Sequence, residues 1–165
     1  MTSNENFLAF SKPFIDGAKN VFESMVHTKL LPGKPKIKTS SDLLSDLTSF
    51  INVSGELQGT PYQAIMVISW PYDSYIKMSS AMLQEEYLEY TNELKDIGSE
   101  ICNMITGNAI RDLKGLGYSC GMAIPTTIEG KDHKLSYPRG TTIIYFPIES
   151  NHGNFVIEIC YSESI

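Results

Sequence analysis

The sequence predicts an α+β domain in which an antiparallel sheet packs against long helices. Three observations carry that prediction. Runs rich in β-branched and aromatic residues fall in two blocks, at residues 47–70 and 118–161. Helical patterns precede the first block and separate it from the second, at residues 4–28, 73–84 and 91–116. No βαβ alternation points to a parallel, Rossmann-like sheet.

The elements follow in order. Within residues 4–28, Phe7, Leu8, Phe10, Phe14, Ile15, Val21, Phe22, Met25 and Val26 are spaced as one or two helical faces. Pro13 has no amide hydrogen and is expected to break or restart that helix. LPGKPKIK is turn-rich and leads into a short strand near residues 35–39. Residues 47–53 and 62–70 read as an antiparallel pair, with Gly55 and Gly59 in the connection and Pro71 ending the second strand. Tyr75, Ile76, Met78, Met82 and Leu83 mark a helix over 73–84, and a longer helix over 91–116 ends at Gly115 and Gly117. Strands are expected at 118–128, 141–148 and 155–161, separated by the loops EGKDHKLSYPRG and ESNHGN.

Composition bounds the function. The 165 residues suit a single domain over 1–165, and 42% hydrophobic with 19% charged residues is ordinary globular usage. No apolar run is long enough to span a bilayer, and MTSNENFLAFSKPF lacks the pattern of a signal peptide, so a cytoplasmic protein with no membrane partner is expected. Three widely spaced cysteines, Cys102, Cys120 and Cys160, argue against a disulfide framework or a zinc site. A formal net charge of −6 speaks against nucleic acid as a partner. The local basic cluster of Lys34, Lys36 and Lys38 reads as a solvated loop or edge strand. His27, His133 and His152 are not at metal-ligand spacing from one another. No G-x-x-x-x-G-K-[ST], H-E-x-x-H or G-x-S-x-G occurs, and GLGYSCG follows a helix rather than a strand. Trp70 and Tyr72 read as core or rim rather than as a ligand platform. The sequon Asn52-Val53-Ser54 lies in a strand-like run and is discounted.

The informative segment is DIGSEICNMITGNAIRDLKGLG, residues 96–117. On a helix, Leu94, Ile97, Ile101, Ile105 and Ala109 form one stripe that should face the core. Asp96, Glu100, Asn103 and Gly107 fall together on another flank, at i, i+4, i+7 and i+11. Glu100 and Asn103 are three apart, so their side chains emerge side by side. Asn is a poor helix former, and an interior Gly costs roughly 1 kcal/mol relative to Ala. At Gly107 the missing side chain would let another backbone approach. A flank that costs stability while offering a carboxylate, an amide and a gap suggests a docking surface. The plain alternative is a solvated helix face, and a second E-x-x-N pair at Glu89 and Asn92 shows how readily the pattern arises. Cys102 adjoins the pair in sequence but points elsewhere around the helix, as a buried structural thiol would.

SEICNMITGNAIRDL, with its E-x-x-N-M-I-x-G, resembles the signature helix of the CheC-like chemotaxis phosphatases, and of their CheX branch in particular. INVSGELQGTPYQAIMVIS is similar to the paired strands that precede that helix in CheX. CGMAIPTTIEG is similar to the strand that enters a turn after it, here with Pro125 and Gly130. The likeness covers roughly residues 45–162, with the elements in the same order. CheC proteins usually carry a second E-x-x-N on the first helix. Here that region reads DGAKNVFESM, with Asp16 and Asn20 four apart, which favours the single-site CheX type. The N-terminal helical segment and connection, residues 1–45, is longer and more aromatic than the family pattern, and its role stays open.

The resemblance implies a phosphatase acting on the aspartyl phosphate of a CheY-like response regulator. Asn103 would orient the attacking water, and Glu100 would pair with the lysine beside the regulator's phosphorylated aspartate. Asp96 and Gly107 would belong to the docking flank. Magnesium would sit on the receiver domain, leaving this chain with no cofactor or metal of its own, and a homodimer is implied as well. Two other readings remain open: a CheC-like module that binds a receiver or flagellar-switch protein without turning it over, and a self-associating scaffold.

Overall fold

The computed structural model describes residues 3–38, 43–122 and 124–163. Helix α1 (Ser3–Val21) buries Phe7, Phe10, Phe14, Ala18 and Val21, a three-to-four-residue spacing that places one apolar face inward. Pro13 lies inside α1 and does not break it. Its neighbours explain why. Phe10 packs its ring 5.4 Å from Tyr62, 5.3 Å from Tyr118 and 4.9 Å from Tyr161, while Pro13 and Phe14 are themselves buried. Burying aromatic rings on both sides, at about 1.5–3 kcal/mol each, offsets the roughly 3 kcal/mol cost of a helical proline. A π-turn, Phe22–Val26, ends the helix, and His27 at φ 56 closes it by donating its N–H to the Phe22 carbonyl.

Strands β1 (Leu31–Pro32) and β2 (Lys36–Lys38) come next, then β3 (Leu44–Leu57) and β4 (Thr60–Trp70). Helix α2 (Tyr72–Leu83) follows, and a 3₁₀ turn (Asn92–Leu94) leads into α3 (Lys95–Gly115). The chain ends with β5 (Tyr118–Met122), β6 (Thr126–Lys134), β7 (Thr142–Glu149) and β8 (Phe155–Glu163). Among the described residues these strands form one antiparallel sheet in the order β1-β7-β8-β4-β3-β5, with β2 also on β7 and β6 also on β3.

The architecture is the expected α+β class, with boundaries that differ in instructive places. The β3–β4 hairpin is longer than predicted and turns at Gln58-Gly59, whose φ values of 50 and 82 make the primed turn that matches strand twist. Gly55 therefore lies within β3, not in the connection; its strand partner Cys120 follows Ser119, whose carbonyl a Cβ at Gly55 would overlap. The single strand expected over 118–128 is two. Pro125 cannot donate to the ladder, so β5 pairs with Val53–Leu57 and β6 restarts against Leu44–Phe50. The long loop expected over 129–140 is strand as far as Lys134. Asp46 lies at a register shift in β3, and its carboxylate accepts the N–H of Tyr72 at 3.0 Å, satisfying an amide at the start of α2.

Alternation along the strands separates the two faces of the sheet. Leu47, Ile51 and Val53 of β3, Met66, Ile68 and Trp70 of β4, and Ile157 and Ile159 of β8 face the helices and join one core with α1 and α3. Trp70, fully buried, stacks on Phe155 at 4.6 Å and Phe22 at 6.2 Å. On the other face, Tyr137 donates to the buried Glu158 carboxylate at 3.3 Å, and Lys38 lies 3.5 Å from the same group. Lys34 and Lys36 are exposed, so the basic cluster is an edge strand and its approach. No helix among the described residues is long and apolar enough to cross a membrane.

Candidate functional site on the third helix

Helix α3 lies over the β3, β5 and β6 side of the sheet, with α1 beside it. A Cβ added at Gly17 of α1 would stand 2.9 Å from the Ile105 carbonyl of α3, so the two helices touch backbone to backbone there. Leu94, Ile97, Ile101, Ile105, Ala109 and Leu113 are buried. That stripe is the one the 3.6-residue period predicts, and burying it turns the opposite flank to solvent. Asp96, Glu100 and Gly107 are exposed there and Asn103 is half-buried. Beyond the helix's own backbone, nothing among the described residues comes within 4 Å of a Cβ built at Gly107, so the gap opens outward. Cys102 is fully buried, and burial pushes its thiol well above the usual range; it faces the core, away from the pair.

The N-terminal turns of α3 are held by hydroxyl groups. Tyr75 Oη of α2 donates to the Leu94 carbonyl at 2.6 Å and accepts the Gly98 N–H at 2.8 Å. Ser99 Oγ is 2.7 Å from Thr127 Oγ1 of β6, which is 3.1 Å from Ser49 Oγ of β3. Ser49 in turn accepts from Trp70 Nε1 at 3.4 Å. A Cβ at Gly98 would overlap Ser49 Oγ and stand 3.0 Å from the Tyr75 ring. Close approach is thus used at Gly98 within the chain. Ser49, Gly98, Ser99 and Thr127 were not singled out from the sequence, and Tyr75 and Trp70 were read only as a helical position and as core or rim; the one available signal was a second interior glycine in the same helix.

The other expected or discounted positions fall apart from this flank. Asp16 on α1 is paired with Lys12 at 2.6 Å, and Asn20 is exposed one turn on. Glu89 lies in the non-helical stretch before the 3₁₀ turn that Asn92 opens, so those two share no helix face. His133 is engaged by Thr48 Oγ1 and the Gly130 carbonyl, each at 2.6 Å. Among the described residues no three of His, Cys, Asp and Glu gather as metal ligands would.

Glu100 and Asn103 therefore stand on an open, convex helix flank. Such a surface does not enclose a small substrate. It presents a carboxylate acceptor beside an amide that both donates and accepts, a pair suited to entering a cavity on another protein.

The family model described as chemotaxis phosphatase CheX matches residues 47–149, which include Glu100 and Asn103. The fold is similar to a CheC-like superfamily protein from Shewanella sp. PV-4, with 29% identity over 98% of this chain and 99% of that one and a TM-score of 0.84. It is similar to the chemotaxis protein CheX of Vibrio vulnificus, with 32% identity over 93% of this chain and 99% of that one and a TM-score of 0.82. The CheX–CheY–BeF3–Mg2+ complex from Borrelia burgdorferi contains a chain of the same fold, with 21% identity over 94% of this chain and 98% of that one and a TM-score of 0.74. No functionally curated protein matches the sequence.

Proposed function

Because the chain belongs to the CheX family of chemotaxis phosphatases, we propose that it hydrolyses the aspartyl phosphate of a CheY-like response regulator, with Asn103 orienting the attacking water. The observation that carries this reading is the outward, side-by-side placement of Glu100 and Asn103 on a helix whose other face is locked in the core. The Borrelia burgdorferi CheX complex with CheY supports a receiver domain as the partner.

Phosphoryl transfer from an aspartyl phosphate demands little covalent work from the second protein; positioning and charge do most of it. Asn103 would enter the receiver's phosphate site, where its carbonyl oxygen accepts a hydrogen from water and its NH₂ donates to a fixed group. An amide is not a base, so its contribution is orientation. Glu100, one turn back, would pair with the receiver's lysine and set the register, with Asp96 and the gap at Gly107 on the same docking flank. Magnesium belongs to the receiver in this reading, and the chain acts as a homodimer, which light scattering would check.

The test is the decay of radiolabelled phosphate on candidate receivers. Asn103→Ala is expected to slow stimulated decay by about 100-fold, the usual consequence of losing a positioned reactant, while binding is partly kept. Glu100→Ala is expected to raise the concentration for half-maximal activity about tenfold, the worth of one charge-assisted bond. Full activity of Asn103→Ala would refute the assignment. Phosphorylation-dependent binding without faster decay would leave a binding module in its place.

A further inference from the structure

The apolar stripe of α3 keeps the helix on the sheet, yet apolar contacts are non-directional and resist sliding and rotation poorly. Rotation matters here. A side-chain tip about 6 Å from the helix axis moves about 2 Å when the helix turns by about 20°, and a displacement of that order defeats orientational catalysis. Something directional must set the phase of the turn that carries Glu100 and Asn103.

Two hydroxyl ties do so. Tyr75 Oη engages both members of the Leu94/Gly98 pair, the carbonyl at 2.6 Å and the N–H at 2.8 Å, and reaches the Lys95 carbonyl at 3.0 Å. Its ring is fully buried, edge-on to Trp70 at 5.6 Å, so the phenol arrives from a fixed direction. Burial also raises its pKa above the ordinary phenol value, so the donor hydrogen is kept into the alkaline range. At the next residue Thr127 Oγ1 meets Ser99 Oγ at 2.7 Å and is braced by Ser49 at 3.1 Å. The tied residues, Gly98 and Ser99, immediately precede Glu100 and lie one turn before Asn103. We propose that Tyr75 and Thr127 are positioning residues of the phosphatase site, setting the height and rotation of α3 so that the Asn103 amide meets its water in line. This rests on the phosphatase reading above.

Tyr75→Phe keeps the ring and removes the phenol's tie, leaving that of Thr127. With activity measured where every variant is folded, it is expected to lower kcat about tenfold while KM for the phosphorylated receiver stays within about twofold. Thr127→Val is expected to lower kcat in the same sense, and Thr127→Ser to restore it. Hydrogen exchange at the Gly98 amide is expected to speed up in Tyr75→Phe. A merely structural role would lower the melting temperature of Tyr75→Phe and leave kcat unchanged in the folded protein, and that outcome overturns the inference while the phosphatase stands. No stimulated decay by the wild type on any receiver would remove the phosphatase reading and this inference together. Unchanged Gly98 exchange in Tyr75→Phe would overturn the tie itself, whatever the activity.

Discussion

On α3, Gly98 and Gly107 are chemically identical and are surrounded quite differently. Gly107 faces open space, whereas Gly98 lies against Ser49 and the Tyr75 ring. Gly98→Ala is therefore expected to destabilise the fold by about 1–3 kcal/mol, the range for overpacking a tight site. Urea unfolding would measure it, and Ser49→Ala in the same chain should recover part of the loss, because Ser49 Oγ is the atom a new methyl overlaps. Equal losses with and without Ser49 Oγ would mean that the overlap is not the cause. At this scale the site pair was legible. Glu100 and Asn103 are three apart on a strongly periodic helix, and period alone places them outward. Gly98 was not, because a glycine in a helical run looks the same whether it faces water or a serine from a strand 49 residues earlier in the chain.

The elements follow their local sequence closely where one residue type dominates the choice. The β3–β4 hairpin turns where it does because a primed turn needs two positive φ angles, and Gly59 supplies one freely. Gln58 supplies the other at a cost, since a side chain with a Cβ pays about 1–2 kcal/mol in the left-handed region. Gln58→Asn is expected to raise stability by about 1 kcal/mol, visible as a higher urea midpoint with unchanged slope. A lower midpoint would show that Gln58 has a role the turn geometry does not explain. Pro125 likewise explains the division between β5 and β6. Pro13 shows the limit of such local rules: the same lack of an amide that ends a strand is tolerated in α1, because Phe10 before it is anchored among aromatic rings from three strands and Phe14 after it is buried against Phe10.

At the scale of the molecule, one core joins the N-terminal helix to the rest and holds Cys102, while Cys160 is buried beside Glu158 on the other face of the sheet. Burial pushes the Cys160 thiol up to about 12, with the Glu158 carboxylate adding to the effect, and burial raises Cys102 as well. The folded state thus favours the protonated thiols. Their contribution is complete below the ordinary thiol value of 9.0 and is lost as pH rises from there through the folded value. Unfolding free energy is expected to fall between pH 9 and 12, by up to about 1.4 kcal/mol per pH unit for each buried thiol. Denaturant midpoints at pH 8 and pH 10 would show the fall, and Cys160→Ala should reduce it. A midpoint unchanged over that interval would mean that the thiols are not held as the fold indicates.

The sequence by itself determined the α+β class, the alternation of helical and strand blocks, the buried stripe of α3 and the flank bearing Asp96, Glu100, Asn103 and Gly107 opposite it. Those are consequences of periodicity, which records for each element which face is apolar. Only the tertiary structure decided that α1 closes the core despite Pro13, that β5 and β6 share one edge of β3, and that Tyr75 and Thr127 hold the turn before Glu100. Each depends on which distant surface meets a given face. That choice is made by packing and hydrogen-bond geometry among residues far apart in the chain, and no local spacing encodes it.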